Sequence, residues 1–167
     1  MALMLTTILS LCAVSVAAEM AKEGTSSEKC YYTTTIQTLP MGKEREQINY
    51  ESFGIRVNDT GKGIFHNASE HILGTMHVVN GIIDDSGFIV VTLQNKNQVF
   101  ITYKGSGKIG KPTIVKGTLT YIGGTGKASG IQGSGEFTRY SLQPPAKGKS
   151  ASFSESKVRW KIVEPKK

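Results

Sequence analysis

Few side chains in this 167-residue chain have the types and spacing that catalysis or metal binding requires. His71 and His77 lie on one face of a predicted strand, but six residues separate them by roughly 20 Å, too far for one metal ion. Ser129 and Ser134 stand outside the G-x-S-x-G motif of a nucleophilic serine. Cys30 fits a small buried residue better than a nucleophile. The sequence therefore predicts no catalytic constellation, no metal site and no cofactor.

Four other side chains are candidates for contact with a bound molecule. Tyr103, Tyr121 and Trp160 each stand on the apolar side of a predicted strand, where an aromatic ring offers a flat wall with a polar tip. Arg139 is one of the few ionisable groups that strand alternation also places on the inner side. In a barrel these residues either line a ligand cavity or fill a solid core, and eight strands are compatible with both outcomes.

The elements that position these residues are short segments rich in β-branched and aromatic residues, separated by Gly, Asn, Asp, Lys and Pro. The predicted strands are Tyr31–Leu39, Gln47–Val57, Gly63–Asn67, His71–Ile82, Phe88–Gln94, Gln98–Lys104, Thr113–Ile122, Gly135–Gln143 and Ala151–Val163. No 12-residue window shows a convincing helical stripe. Asp84-Asp85-Ser86-Gly87 and Asn95-Lys96-Asn97 have the composition of hairpin loops.

The last predicted strand shows the clearest alternation. Three cations on one face alternate with three large apolar residues on the other: Lys157, Arg159 and Lys161 against Val158, Trp160 and Ile162. One face must therefore contact water, whereas the strands of parallel sheets are covered on both faces. The pattern predicts an all-β, antiparallel fold, either an up-and-down barrel or a β-sandwich.

A glycine-rich segment separates these two architectures. The run GGTGKASGIQGSGEF contains Gly123, Gly124, Gly126, Gly130, Gly133 and Gly135. It resembles the corresponding segment of the allene oxide cyclase and dirigent barrel superfamily, with Ala128 where relatives usually carry an aromatic residue. The resemblance covers residues 74–164 and implies an eight-stranded antiparallel barrel with a lumen, in which repeated glycines let strand ends bend and bulge. It implies no catalytic residues for this chain.

The first 18 residues, MALMLTTILSLCAVSVAA, contain no charged side chain and end in small residues. This composition is typical of a signal peptide cleaved after Ala18 and predicts a secreted or periplasmic protein. The polar residues 19–29 are predicted to be a flexible leader, and residues 30–167 a single barrel domain.

The formal net charge of +7 comes from lysines scattered among Gly, Ser and Thr. Such lysines commonly keep sheet proteins soluble. No basic tract interleaved with aromatic residues is present, so nucleic acid is not expected as a partner. Membrane association would be peripheral at most.

Three functions remain compatible with the sequence. The first is an exported barrel that binds a small, largely apolar molecule in its lumen, which requires a cavity of ligand size. The second is a cofactor-free cyclase or isomerase, or a dirigent-type protein that guides a reactive intermediate, as the resemblance implies; it requires an ionisable group in the lumen. The third is a non-catalytic surface or structural protein.

Overall fold

The computed structural model describes residues 20–142 and 146–164. It contains eight β-strands: β1 (Glu23–Pro40), β2 (Arg45–Asn58), β3 (Ala68–Val79), β4 (Ile82–Thr92), β5 (Gln98–Lys108), β6 (Thr113–Gly124), β7 (Ile131–Ser141) and β8 (Lys149–Ile162). One 3₁₀ turn, Gly126–Ala128, lies between β6 and β7. The predicted signal peptide and Gln143, the predicted end of one strand, lie outside the described residues.

The strands form a closed barrel in which each pairs antiparallel with the next and β8 pairs with β1. This confirms the up-and-down eight-stranded barrel and excludes the sandwich. Inner and outer residues alternate along each strand, so β8 buries Val158 and Trp160 and exposes Arg159 and Lys161. Connections β1–β2, β3–β4, β5–β6 and β7–β8 lie at one end of the barrel, here called the hairpin end. The other connections and the first residues of β1 lie at the opposite end, the loop end.

Two predicted boundaries at the loop end are wrong. The leader expected over 19–29 is a strand from Glu23 onward, because its residues complete the ladders to β2 and β8. Gly63–Asn67, expected to be a strand, belongs to the connection between β2 and β3. This connection folds inward and places Phe65 inside the barrel, only 1% exposed.

The turn predicted at Asp84-Asp85-Ser86-Gly87 is also wrong. The chain reverses earlier, at Asn80-Gly81, where both residues have positive φ angles of 51° and 74°. Asn-Gly is the sequence best suited to such a two-residue hairpin turn. The four predicted turn residues therefore continue β4, and alternation directs Asp85 into the lumen. The predicted loop at Asn95-Lys96-Asn97 is confirmed between β4 and β5.

The glycine-rich segment forms the end of β6, the 3₁₀ turn and the start of β7. Pairing between β5 and β6 shifts by one residue here, since Ile101 pairs with Tyr121 and Phe100 with Gly123. Strand β7 begins at Ile131 rather than at the predicted Gly135, which places Gly133 and Gly135 within the strand.

Large aromatic side chains of the lumen lie opposite glycines in neighbouring strands. The pairs are Tyr32 with Gly54, Tyr50 with Gly74, Tyr103 with Gly87, Tyr121 with Gly133, Phe137 with Gly117, and Trp160 with both Gly24 and Gly133. A Cβ on Gly24 would come within 3.0 Å of Trp160 Cζ2, and one on Gly54 within 2.8 Å of Tyr32 Cε1. The glycines thus provide the space into which the rings fold.

Candidate active site in the barrel lumen

Four side chains from β2, β4, β5 and β7 meet across the hairpin half of the lumen. The Tyr50 hydroxyl donates a hydrogen bond of 2.7 Å to Asp85 Oδ1. Arg139 donates through Nη2 to Asp85 Oδ2 and through Nη1 to the Tyr50 oxygen at 3.1 Å. Because the Tyr50 proton points to Asp85, the neighbouring Tyr103 hydroxyl donates to Tyr50. We call these four residues the Asp85 cluster.

Burial controls the electrostatics of the Asp85 cluster. It raises the pKa of the Asp85 carboxyl above its ordinary value, although Arg139 and the hydrogen bond from Tyr50 oppose the shift. Burial also raises the pKa of Tyr50 to about 12 and that of Tyr103 well above its usual range. Burial opposes the charge on Arg139, but Tyr50 and Asp85 raise its pKa, so the guanidinium stays protonated. The cluster therefore pairs a permanent cation with a carboxyl group that holds its proton more tightly than usual.

Two small cavities adjoin the Asp85 cluster. The outer cavity, about 50 Å³, extends toward the hairpin end and is lined by Tyr50, Arg139 and several hydroxyl groups. The inner cavity, about 30 Å³, is lined by Tyr103, Arg139 and Arg56 among others. Arg139 borders both cavities, as do Tyr32 and Ile72, so its guanidinium can contact a molecule in either one.

A second polar cluster fills the middle of the lumen and is almost completely buried. Arg56 contacts Glu28 at 2.5 Å and also pairs with Glu70; the three side chains are at most 1% exposed. Tyr32 donates a 2.6 Å hydrogen bond to Glu70. We call Glu28, Arg56 and Glu70 the Arg56 cluster. Its two carboxylates share one guanidinium, so it is a charged group with little access from solvent.

Cys30 lies beside the Arg56 cluster, with Sγ 3.8 Å from Glu70 Oε1. Burial, reinforced by Glu70, raises the pKa of the thiol to about 12. The thiol therefore remains protonated at neutral pH, as expected for a buried structural cysteine rather than a nucleophile. Among the described residues, no three His, Cys, Asp or Glu side chains are grouped to bind a metal ion.

The four sequence-predicted contact residues are all inside the barrel but do not form one site. Tyr103 and Arg139 belong to the Asp85 cluster. Tyr121 and Trp160 lie toward the loop end, where their ring centroids are 5.7 and 6.0 Å from that of Phe65. Phe65 in turn lies under the Arg56 guanidinium, 5.4 Å from its Cζ. Tyr121 and Trp160 thus pack against the residue that fills this end of the lumen.

Sequence reasoning missed most of the polar groups in the lumen. The sequence places Asp85 in a predicted turn, although its parity matches that of Ile83, Ile89 and Val91. It places Glu28 in the predicted leader, although Glu28 has the same parity as Cys30 and Tyr32. In both cases a carboxylate has the same parity as the buried residues of its strand, which indicates an inward side chain. The turn-forming and polar composition of the two segments favoured a turn or a loop instead.

Because burial raises the pKa of Tyr50, we expect the stability of the folded protein to depend on pH in the alkaline range. Tyr50 has a higher pKa in the folded chain than in the unfolded chain, so the folded state binds more protons between pH 10 and about 12. The free energy of unfolding should therefore fall as pH rises through this range, by up to about 1.4 kcal/mol per unit from Tyr50 alone. Urea unfolding at several pH values would measure the slope, and Tyr50→Phe should reduce it. An equal slope in both proteins would contradict the assignment of Tyr50.

Comparison with known proteins identifies the fold. The barrel is similar to the structure of a pterocarpan synthase dirigent protein, with a TM-score of 0.53 and 14% sequence identity; the alignment covers 88% of this chain and 91% of that one. At this identity the likeness establishes a shared dirigent-type barrel fold. No family model and no curated protein matches the sequence. The expected kinship with allene oxide cyclases rests on the glycine-rich segment alone. In residues 20–142 and 146–164, no helix is long and apolar enough to cross a bilayer.

Proposed function

We propose that this protein is a cofactor-free isomerase or cyclase of the dirigent type, exported from the cell, that holds a small oxygen-bearing intermediate against the Asp85 cluster. The observation that carries the proposal is the hydrogen-bond chain from Tyr103 through Tyr50 to Asp85, with Arg139 contacting both Tyr50 and Asp85. Paired ionisable groups with perturbed pKa values beside a cavity are typical of catalytic sites. The similar barrel of a dirigent protein described as a pterocarpan synthase supports a dirigent-type role.

The arrangement of donors and acceptors suggests how protons would move. Tyr103 borders the inner cavity and donates its proton to Tyr50, whose own proton points to Asp85. Tyr103 would take a proton from the bound molecule as its own proton passes to Tyr50 and the Tyr50 proton passes to the Asp85 carboxylate, whose raised pKa makes it a better base. Arg139 would stabilise the oxyanion that forms. Return of the proton by the reverse route to another atom of the molecule completes an isomerisation with no net gain or loss of atoms.

The first function expected from the sequence is a binding module for a largely apolar molecule. It has less support than the isomerase or cyclase. Cavities of about 30 and 50 Å³ admit only a small molecule under either function. Their walls carry a series of hydroxyl groups, of which the Ser156 hydroxyl has no hydrogen-bond partner among the described residues. An apolar molecule would leave this buried hydroxyl without a partner, which is unfavourable.

Enantioselective consumption of small racemic epoxides tests the proposed function. Glycidol and homologues of increasing length would be incubated with the protein and followed by chiral gas chromatography. We expect one enantiomer to be consumed faster. The selectivity should be lost in Tyr50→Phe, which has no hydroxyl to relay the proton, and in Asp85→Asn, whose amide cannot accept it. Asp84→Asn is the matched control, because Asp84 is the exposed neighbour of Asp85 on the same strand. Absence of any consumption above that of Asp85→Asn would contradict the proposal and favour a non-catalytic surface or structural protein.

A further inference from the structure

A row of serines runs along the inner face of β8. Ser150, Ser152, Ser154 and Ser156 alternate with outward-facing residues. Ser150 and Ser152 line the outer cavity, whereas Ser154 and Ser156 line the inner one. At about 3.3 Å per residue the row extends roughly 20 Å along the lumen. One strand thus supplies a continuous hydroxyl wall to both cavities.

The hydrogen bonding of Ser156 points to a ligand. Its hydroxyl is buried, with the residue 5% exposed, and has no hydrogen-bond partner among the described residues. Buried hydroxyl groups without a partner are costly and uncommon in native proteins. Ser154 has a distant partner, since its oxygen lies 3.4 Å from the Tyr32 hydroxyl. The inner end of the serine row can therefore bond to a molecule in the inner cavity.

The charged groups of the lumen indicate what kind of molecule the serine row would bind. The Arg56 and Asp85 clusters together contain two guanidinium groups and three carboxyl groups, so each described cation there already has a carboxyl partner. An additional anion would find no unmatched positive charge. An apolar molecule would leave the serine hydroxyls without partners. An uncharged molecule with several oxygen atoms satisfies both conditions.

The cavity volumes limit its size. At roughly 10–15 Å³ for each water-sized group, the inner cavity holds about two or three such groups and the outer cavity about three to five. Because Tyr32, Ile72 and Arg139 line both cavities, a molecule that reaches through the two would have about five to eight. We infer that the serine row of β8 is the specificity-determining wall of the lumen site, and that the site takes an uncharged, oxygen-rich molecule of this size, such as a short polyol or hydroxy ether. This inference rests on the proposed function for the location of the site and names its substrate class.

Binding measurements with three-carbon probes test this inference separately from catalysis. Glycerol, 1-propanol and glycerate differ in oxygen content and charge at similar size, and xenon serves as an apolar probe. Titrations of the mature protein, followed by the NMR shifts of lumen amides, should show glycerol binding at least ten-fold more tightly than 1-propanol or glycerate. No xenon binding is expected in the wild type.

The double variant Ser154→Ala/Ser156→Ala should weaken glycerol binding by about ten-fold or more, since each hydrogen bond contributes roughly five-fold. It should leave 1-propanol binding unchanged or tighter. Ser134→Ala, on the outer face of β7, is the matched control and should change nothing. Thermal unfolding would confirm that each variant is folded.

The inference is overturned if 1-propanol, glycerate or xenon binds as tightly as glycerol, or if the double variant keeps the wild-type preference. Failure of the proposed function gives a different result: glycerol binds with the expected preference, but no epoxide is consumed. If epoxides are consumed but the serine substitutions leave glycerol binding unchanged, the inference is wrong and the proposed function stands.

Discussion

Arg56→Met should lower the free energy of unfolding by about 3–5 kcal/mol, a large part of the 5–15 kcal/mol that stabilises a typical domain. The substitution keeps a long apolar side chain in the space beside Phe65 but removes the only guanidinium that Glu28 and Glu70 contact in the described structure. Two carboxylates would then be buried without a counter-charge. Urea unfolding followed by circular dichroism measures the loss.

Two further variants keep this prediction testable if Arg56→Met does not fold. Adding Glu28→Gln and Glu70→Gln to Arg56→Met removes the unpaired charges and should restore much of the lost stability, because replacing a whole buried ionic group is often nearly neutral. Arg159→Met is the matched control on the exposed face of β8 and should change stability by less than about 0.5 kcal/mol. A wild-type unfolding midpoint for Arg56→Met would show that the Arg56 cluster is not needed for stability.

Trp160→Ala should cost about 3–5 kcal/mol through lost burial and the cavity left behind. The indole is 5% exposed and meets Phe65 edge to face, with the ring planes at 89°. It also lies between Gly24 and Gly133, which have no side chains to fill the space it would leave. Denaturant unfolding measures the change, and native Trp160 fluorescence should be blue-shifted.

Lys161→Ala is the matched control for Trp160→Ala. Lys161 is the next residue on β8 and is exposed, so its substitution should stay within about 0.5 kcal/mol of the wild type. A solvent-like emission spectrum together with a neutral Trp160→Ala substitution would contradict the inner assignment of Val158, Trp160 and Ile162.

The alternation of single strands was readable from the sequence. In β8, three cations alternate with three large apolar residues, and reversal of this parity would bury unpaired charges. Trp160, Tyr103 and Tyr121 were correctly placed inside on this basis. The pattern depends on each strand's own residues and on the two-residue period of the backbone, so it needs no knowledge of the neighbouring strands.

Turn composition was a weaker guide where two signals competed. Asn80-Gly81 and Asp84-Asp85-Ser86-Gly87 both have turn residues, four positions apart. The chain turns at Asn80-Gly81 because a two-residue hairpin turn requires positive φ angles, which Asn and Gly adopt readily. This turn fixes the register of β3 and β4. Asp85 then becomes an inner residue, which no count of turn-forming residues could indicate.

Closure of the barrel decided the contact between Arg139 and Asp85, which are 54 residues apart on β7 and β4, two strands that do not pair. Arg56 meets Glu28 and Glu70 on the two strands that pair with β2, so the registers of these pairs decided its contacts. Alternation fixes the face of each residue but not its height in the barrel. Height follows from the register of all eight strand pairs, with the shift at Phe100 and Ile101 included. The sequence by itself therefore determined the alternation within each strand, whereas only strand pairing and barrel closure determined which inner side chains meet, because the shared register joins residues that are distant along the chain.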